Sequence, residues 1–216
     1  MNTVDINAAI GGGYEGDNSS HDERVIKRLT SANIACGFHG GDPAVMQRSV
    51  DFAVKYGVAI GAHVGLPELM GLGGSGMKAS SKKSSVQTLY QIGALLAFAK
   101  AGGLRIQHVK LHGVLYEQSV EDKELATAIA LAIAGLDENI IVLGPENSEL
   151  LSAAEKVGLQ IAREINVEQV LDEDRNLLAF DAESIFVDSE AEYAVQTLDE
   201  LRRALSKESI EVATFS

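Results

Sequence analysis

Three histidines and one lysine close short apolar runs of the chain: Gly37-Phe38-His39, Gly61-Ala62-His63 and His108-Val109-Lys110-Leu111-His112-Gly113. A neutral imidazole can take a proton from water, or hold a metal through a ring nitrogen. A lysine facing the same way is costly to bury unless it is paired or used on an anionic substrate. Asp5 and Asn7 stand two apart in an apolar stretch, which puts them on one face of a strand. Asp5 adds a carboxylate that can act as a base. Asp/His/His is also a plausible metal set, although the spacing is long. Plainer readings stand beside these. A strand-end histidine is often structural. Asp42, directly before Pro43, reads first as a helix N-cap. His21 in Asn18-Ser19-Ser20-His21-Asp22-Glu23 reads as a solvated surface residue, and His108, at the start of its run, as structural.

Positioning these groups falls to alternating strands and helices. Strand patterns occur at Thr3–Ala8, Ala32–Phe38, Ala59–Ala62, Gln107–His112, Ile140–Leu143, Leu159–Arg163, Ser184–Val187 and Ile210–Thr214. Most intervening segments have helical length and periodicity, so the chain reads as α/β, with a mainly parallel sheet that is open or closed into a barrel. In such folds functional groups collect at the carboxyl ends of strands. Period-two alternation places His108, Lys110 and His112 on one strand face. Asp42-Pro43 opens a helix through Tyr56, which Gly57 stops. Ser84 and Gln87 have capping-box spacing before Leu89–Ala101, and Ser189 and Glu192 repeat it before Tyr193–Leu205. A further helix covers Ser148–Val157 and ends at Gly158. The glycine-rich run Gly71–Gly76 does not open a helix directly, and reads as a mobile loop or lid rather than a phosphate cradle.

The 216 residues read as a single domain, 1–216, with 46% hydrophobic residues and a net charge of −13. That acidity argues against a general basic surface for nucleic acid or anionic membrane. The only cysteine, Cys36, lies in an apolar run and reads as a buried small hydrophobe. With no disulfide available, a reducing, cytoplasmic setting is expected. The N-terminus has no secretory pattern, and no apolar run approaches membrane-spanning length.

At these residues the sequence resembles the LamB/YcsF family of bacterial 5-oxoprolinase A subunits. The resemblance rests on Asp5–Ala8, Ser31–Pro43, Gly57–His63, Gln87–Leu95 and His108–Tyr116, and covers the chain well as far as Ile165. It implies a seven-stranded β/α barrel of the glycoside hydrolase/deacetylase type. It also implies ATP-dependent hydrolytic opening of 5-oxoproline to glutamate, with partner subunits B and C activating the lactam. In that scheme His39, His63 or Asp5 would activate water, and Lys110 or His112 would stabilise charge on the carbonyl. Asn7, Asn33, Asp42 and Tyr116 would bind substrate.

The sequence also departs from the family. The opening motif Asn-Ala-Asp-Leu-Gly-Glu reads Asn7-Ala8-Ala9-Ile10-Gly11-Gly12, without either acid. Past His63 come Val64, Glu68 and Gly74-Ser75, where the family has Pro, Asp and paired arginines. An Ala-Asp-Arg motif reads Val167-Glu168-Gln169. The chain ends at Ser216, before the family's closing strand, which implies a barrel open beside Ile210–Thr214 that a partner or a second copy would cover. These departures keep two other readings in play: a noncatalytic paralogue that binds a small molecule or scaffolds partner subunits, and a metal-dependent hydrolase or deacetylase of another substrate.

Overall fold

The computed structural model describes residues 3–13, 19–67 and 79–215. Glu68, Gly74, Ser75 and the run Gly71–Gly76 lie outside the described residues.

Seven parallel strands form a closed ring. They are β1 (Thr3–Ile10), β2 (Ser31–Ala35), β3 (Ala59–Val64), β4 (Ile106–Leu111), β5 (Ile141–Gly144), β6 (Gln160–Asn166) and β7 (Ser184–Phe186). Each pairs with the next, and β1 closes the ring by pairing with both β2 and β7. The expected open side is therefore absent. Closure comes from β1's length: Asp5–Asn7 pair with β7, while Asn7–Ile10 pair with β2. An eighth strand, β8 (Glu211–Val212), adds to β1 at Thr3 and Val4, outside the ring. Ala213 donates to the Val4 carbonyl just as Thr30 donates to the Ile6 carbonyl, so β8 covers the edge of β1 that β2 leaves bare. Phe215 then packs against Ile141, Leu143 and Ala162 and meets the His108 ring edge-on, with centroids 5.6 Å apart. Gln107 holds it there by donating to the Phe215 carbonyl at 2.6 Å.

The helices are α1 (Ser19–Ile26), α2 (Pro43–Tyr56), α3 (Ser81–Ala101), α4 (Gly113–Glu121), α5 (Lys123–Leu136), α6 (Glu149–Lys156) and α7 (Ala194–Lys207). They pack apolar faces on the outside of the ring, where Ile6, Ile34, Ile60 and Leu111 share one core with Ile92, Leu95, Ile129 and Ile133. No helix among the described residues is long and apolar enough to cross a membrane. Asp42 caps α2, accepting from the Ala44 and Val45 amides, as its place before Pro43 suggests.

Two helix starts differ from the sequence reading. α3 begins at Ser81, so Ser84 lies buried inside it instead of capping it. The first turn of α3 is polar and apolar periodicity begins only at Val86, which hides the start. α7 begins after Tyr193 without a side-chain cap. The Ser189 carbonyl instead accepts from His21 Nε2 at 2.7 Å, so His21 is half-buried and bonded rather than solvated.

The ring's interior is polar except where Ile141, Leu143 and Ala162 meet Phe215. Alternation points Val4, Ile6, Ala8 and Ile10 toward the helices, and Asp5, Asn7 and Ala9 inward. Inward groups from the other strands complete the filling. His108 is fully buried, with Nε2 at 2.8 Å from Asn33 Oδ1. Its ring occupies space that only a glycine leaves, because a Cβ on Gly61 would overlap it. Cys36 is buried, and burial pushes its thiol up to about 12, so it is an inert core residue.

Candidate functional site

The site begins below the pocket, in a chain of buried hydrogen bonds. Asp5 accepts from Thr30, Ser31 and Ser184 hydroxyls. Asn7 donates to Ser184 Oγ at 2.8 Å and to Glu164 Oε1 at 3.0 Å, and accepts from Asn33 at 2.6 Å. Glu164 ends the chain in an ion pair with Lys110, the two side chains 2% and 7% exposed. These bonds give each buried side chain of the network a partner, as its burial requires.

Asp5 therefore sits four residues below Ala9 along β1, roughly 13 Å at the usual strand rise. It does not join the histidines, and an Asp/His/His metal set through Asp5 is not formed. Burial outweighs the three hydroxyl bonds and raises its carboxyl to about 6. The folded chain then binds a proton between pH 3.8 and about 6 that the unfolded chain has released. Stability from this group consequently falls as pH rises through that window, by about 3 kcal/mol in all. Asp5→Asn removes the titration. Urea unfolding at about pH 4 and about pH 6.5 is expected to show the variant gaining about 2 kcal/mol relative to the wild type between the two, the part of the full effect that falls inside that interval. Parallel shifts in the two proteins would contradict the assignment.

Above this network a cavity of about 380 Å³ opens at the carboxyl ends of the strands. It gathers His39, His63, Lys110, His112 and Tyr116, five residues singled out from the sequence. Lys110 Nζ lies 4.2 Å from the centroid of the Phe186 ring and 5.0 Å from that of Tyr116. Burial and the charge of Glu164 raise the Tyr116 hydroxyl above its ordinary range, which keeps it a hydrogen-bond donor. Asn7 and Asn33 lie in the layer beneath the cavity, and Asp42 lies outside its lining.

The histidines form one cluster. His63 Nδ1 lies 3.2 Å from the Lys110 carbonyl, which can only accept, so Nδ1 carries the proton and Nε2 presents a lone pair. His112 Nδ1 reaches that Nε2 at 3.1 Å. His39 stacks on His112, with centroids 3.9 Å apart and planes 12° from parallel. Burial, with the His112 charge second, lowers His39 to about 3, and burial lowers His63 well below its ordinary value. Both are neutral at pH 7. Gly65, in the turn after β3, lets His39 approach, since a Cβ there would overlap the ring. Gln91 of α3 fixes that turn by bonding both the amide and the carbonyl of Gly65.

A match to the LamB/YcsF family spans residues 4–179. The chain belongs to this family. It is 37% identical to the 5-oxoprolinase A subunit of Alkaliphilus metalliredigens, over 100% of this chain and 98% of the relative. It is 44% identical to that of Bacillus licheniformis, over 82% of this chain and 70% of the relative. In three dimensions it matches a lactam utilization protein from Thermus thermophilus, with a TM-score of 0.87 and 32% identity over 99% and 100% of the two chains.

Two departures from the LamB/YcsF pattern fall inside the cavity, because Ala9 and Gly12 both line it. Gln169 does not: its side chain accepts from the Asn166 amide, closing a short turn. Acidic groups reach the cavity from other elements, namely Glu117 from α4 and Asp188 and Glu190 from the loop after β7. Glu190 Oε1 lies 3.1 Å from where a Cβ on Gly12 would stand, so a carboxylate already occupies that wall. These three acids and Glu164 are absent from the sequence-based candidates. For Glu164 a signal exists, since Arg163-Glu164-Ile165-Asn166 continues the alternation of its strand.

Proposed function

We propose that this chain acts as the A-type component of a 5-oxoprolinase, opening the 5-oxoproline ring hydrolytically to glutamate while partner B-like and C-like subunits use ATP to activate the lactam. The observation that carries the reading is the placement of neutral His63 and His39 beside the buried Lys110–Glu164 pair, at the mouth of a barrel whose relatives are named for this activity.

The residue types fit the reaction. Once His112 Nδ1 gives way, His63 Nε2 can accept a hydrogen bond from water at neutral pH, and the negative charge that grows on the carbonyl oxygen raises its basicity as the proton moves. Lys110 and Tyr116 are the donors for that oxygen. Water adds to the carbonyl carbon, the C–N bond breaks, and the nitrogen leaves with the proton.

A noncatalytic, scaffolding role is the second reading, favoured by Ala9 and Gly12 standing on the cavity wall in place of acids. Ala9→Phe separates the two, because it fills the cavity while leaving the network below unchanged. Reconstituted with cognate partner subunits, the variant is expected to assemble normally and to lose ATP-dependent glutamate release. Release at the wild-type rate would remove the cavity from the reaction.

A further inference from the structure

We infer that His39, His63 and His112 form a binding site for one divalent transition-metal ion, zinc being the first candidate. Ligand nitrogens from the three rings all lie within 4.8 Å of one another. Two nitrogens bound to one tetrahedral zinc, each at ~2.0–2.1 Å, stand about 3.3 Å apart. His63 Nε2 and His112 Nδ1 are already 3.1 Å apart. Closing the third ligand onto the same point takes a shift and turn of the His39 ring, which lies stacked on His112 with ligand nitrogens no more than 4.8 Å apart.

Three further features fit a ligand set. His63 donates its other ring nitrogen to the Lys110 carbonyl, the outer contact that fixes tautomer and ring direction in metal-bound histidines. Both ring nitrogens of His39 are buried without a hydrogen-bond partner, a cost that a metal bond removes. The set has three protein ligands and faces a cavity, which leaves a fourth position for water or substrate. Lys110, the nearby cation, is neutralised by Glu164, and Glu117, Asp188 and Glu190 add negative charge to the lining. Imidazole-only ligation favours zinc, cobalt, nickel or copper over magnesium and calcium, which prefer oxygen.

The site deepens the lactam-opening reading and rests on it for its use: a metal there would polarise the carbonyl or the attacking water, and so would replace the direct proton transfer to the imidazole lone pairs that would then be its ligands. Its existence is tested without substrate. Tag-free full-length protein is stripped with a chelator, then titrated with Zn²⁺ against a chromophoric competitor and with Co²⁺ by visible absorption. One ion per chain is expected, with a tetrahedral Co²⁺ spectrum. His39→Gln and His112→Gln should each weaken Zn²⁺ binding at least ~10–100-fold, the scale seen even for outer-shell changes. Circular dichroism and melting report whether each variant is folded, and His112, partly exposed, is the safer of the two. No stoichiometric binding, or binding unchanged in a folded variant, overturns the site. Metal binding without glutamate release leaves the site and removes the lactam reading. Release at an unchanged rate by metal-free protein keeps the lactam reading and removes the metal from the reaction.

Discussion

Glu164→Gln is expected to destabilise the fold by about 3–5 kcal/mol, because it leaves the Lys110 ammonium buried without its counter-charge. Glutamine preserves the hydrogen bond from Asn7, so the loss reads the ion pair and not the whole network. For a chain of this length the melting temperature should fall by roughly 10 °C. Adding Lys110→Met to the same protein removes the stranded charge, and the double variant should recover most of the loss. Its methionine is close in length to lysine and puts an apolar end group where the ammonium faces Phe186 and Tyr116. Chemical unfolding of wild type, both single variants and the double closes the cycle. A double variant as unstable as the sum of its parents would show that the pair is not energetically coupled.

The second large effect is on turnover. His63→Gln is close in size and can still donate to the Lys110 carbonyl, so it holds its place in the wall. It cannot take a proton from water. In the reconstituted complex kcat for glutamate release should fall about 10²–10⁴-fold, or roughly 3–5 kcal/mol of barrier, with little change in KM. A rise in KM at constant kcat would make His63 a binding residue instead. Because His39 and His112 share the same cluster, double variants should lose less than the product of single losses.

Much of the architecture can be read from the sequence for physical reasons. Each of the eight strands is short, apolar and followed by a turn, and each expected segment coincides with a real strand. Fine boundaries suffer where backbone and pattern part company. The second strand stops at Ala35, so His39 stands on a turn closed by Gly37 and Gly40, not on a strand. The fourth stops at Leu111, and His112 is the N-cap position before α4. Ring closure was not legible, since it depends on β1 being long enough to serve two neighbours at staggered registers. The burial of Asp5, Asn7 and Asn33 was not legible either. Alternation shows that they share a face, but only the closed ring makes that face an interior. Glu164 escaped because the sixth strand reads as ending at Arg163 when it continues to Asn166. Glu117, Asp188 and Glu190 carry no local signal, as their meeting point is set by a helix and a loop distant from the histidines in sequence.

On the proposed function this cavity opens a lactam even though Ala9 and Gly12 line it. The measurement that tests it most directly is the initial rate of ATP-dependent glutamate release from 5-oxoproline by the wild-type chain with its cognate partner subunits, beside a relative carrying acids at those positions. Sustained release, dependent on both ATP and this chain, is the expected result. No release by a fully assembled complex, under conditions where the relative turns over, would contradict the account.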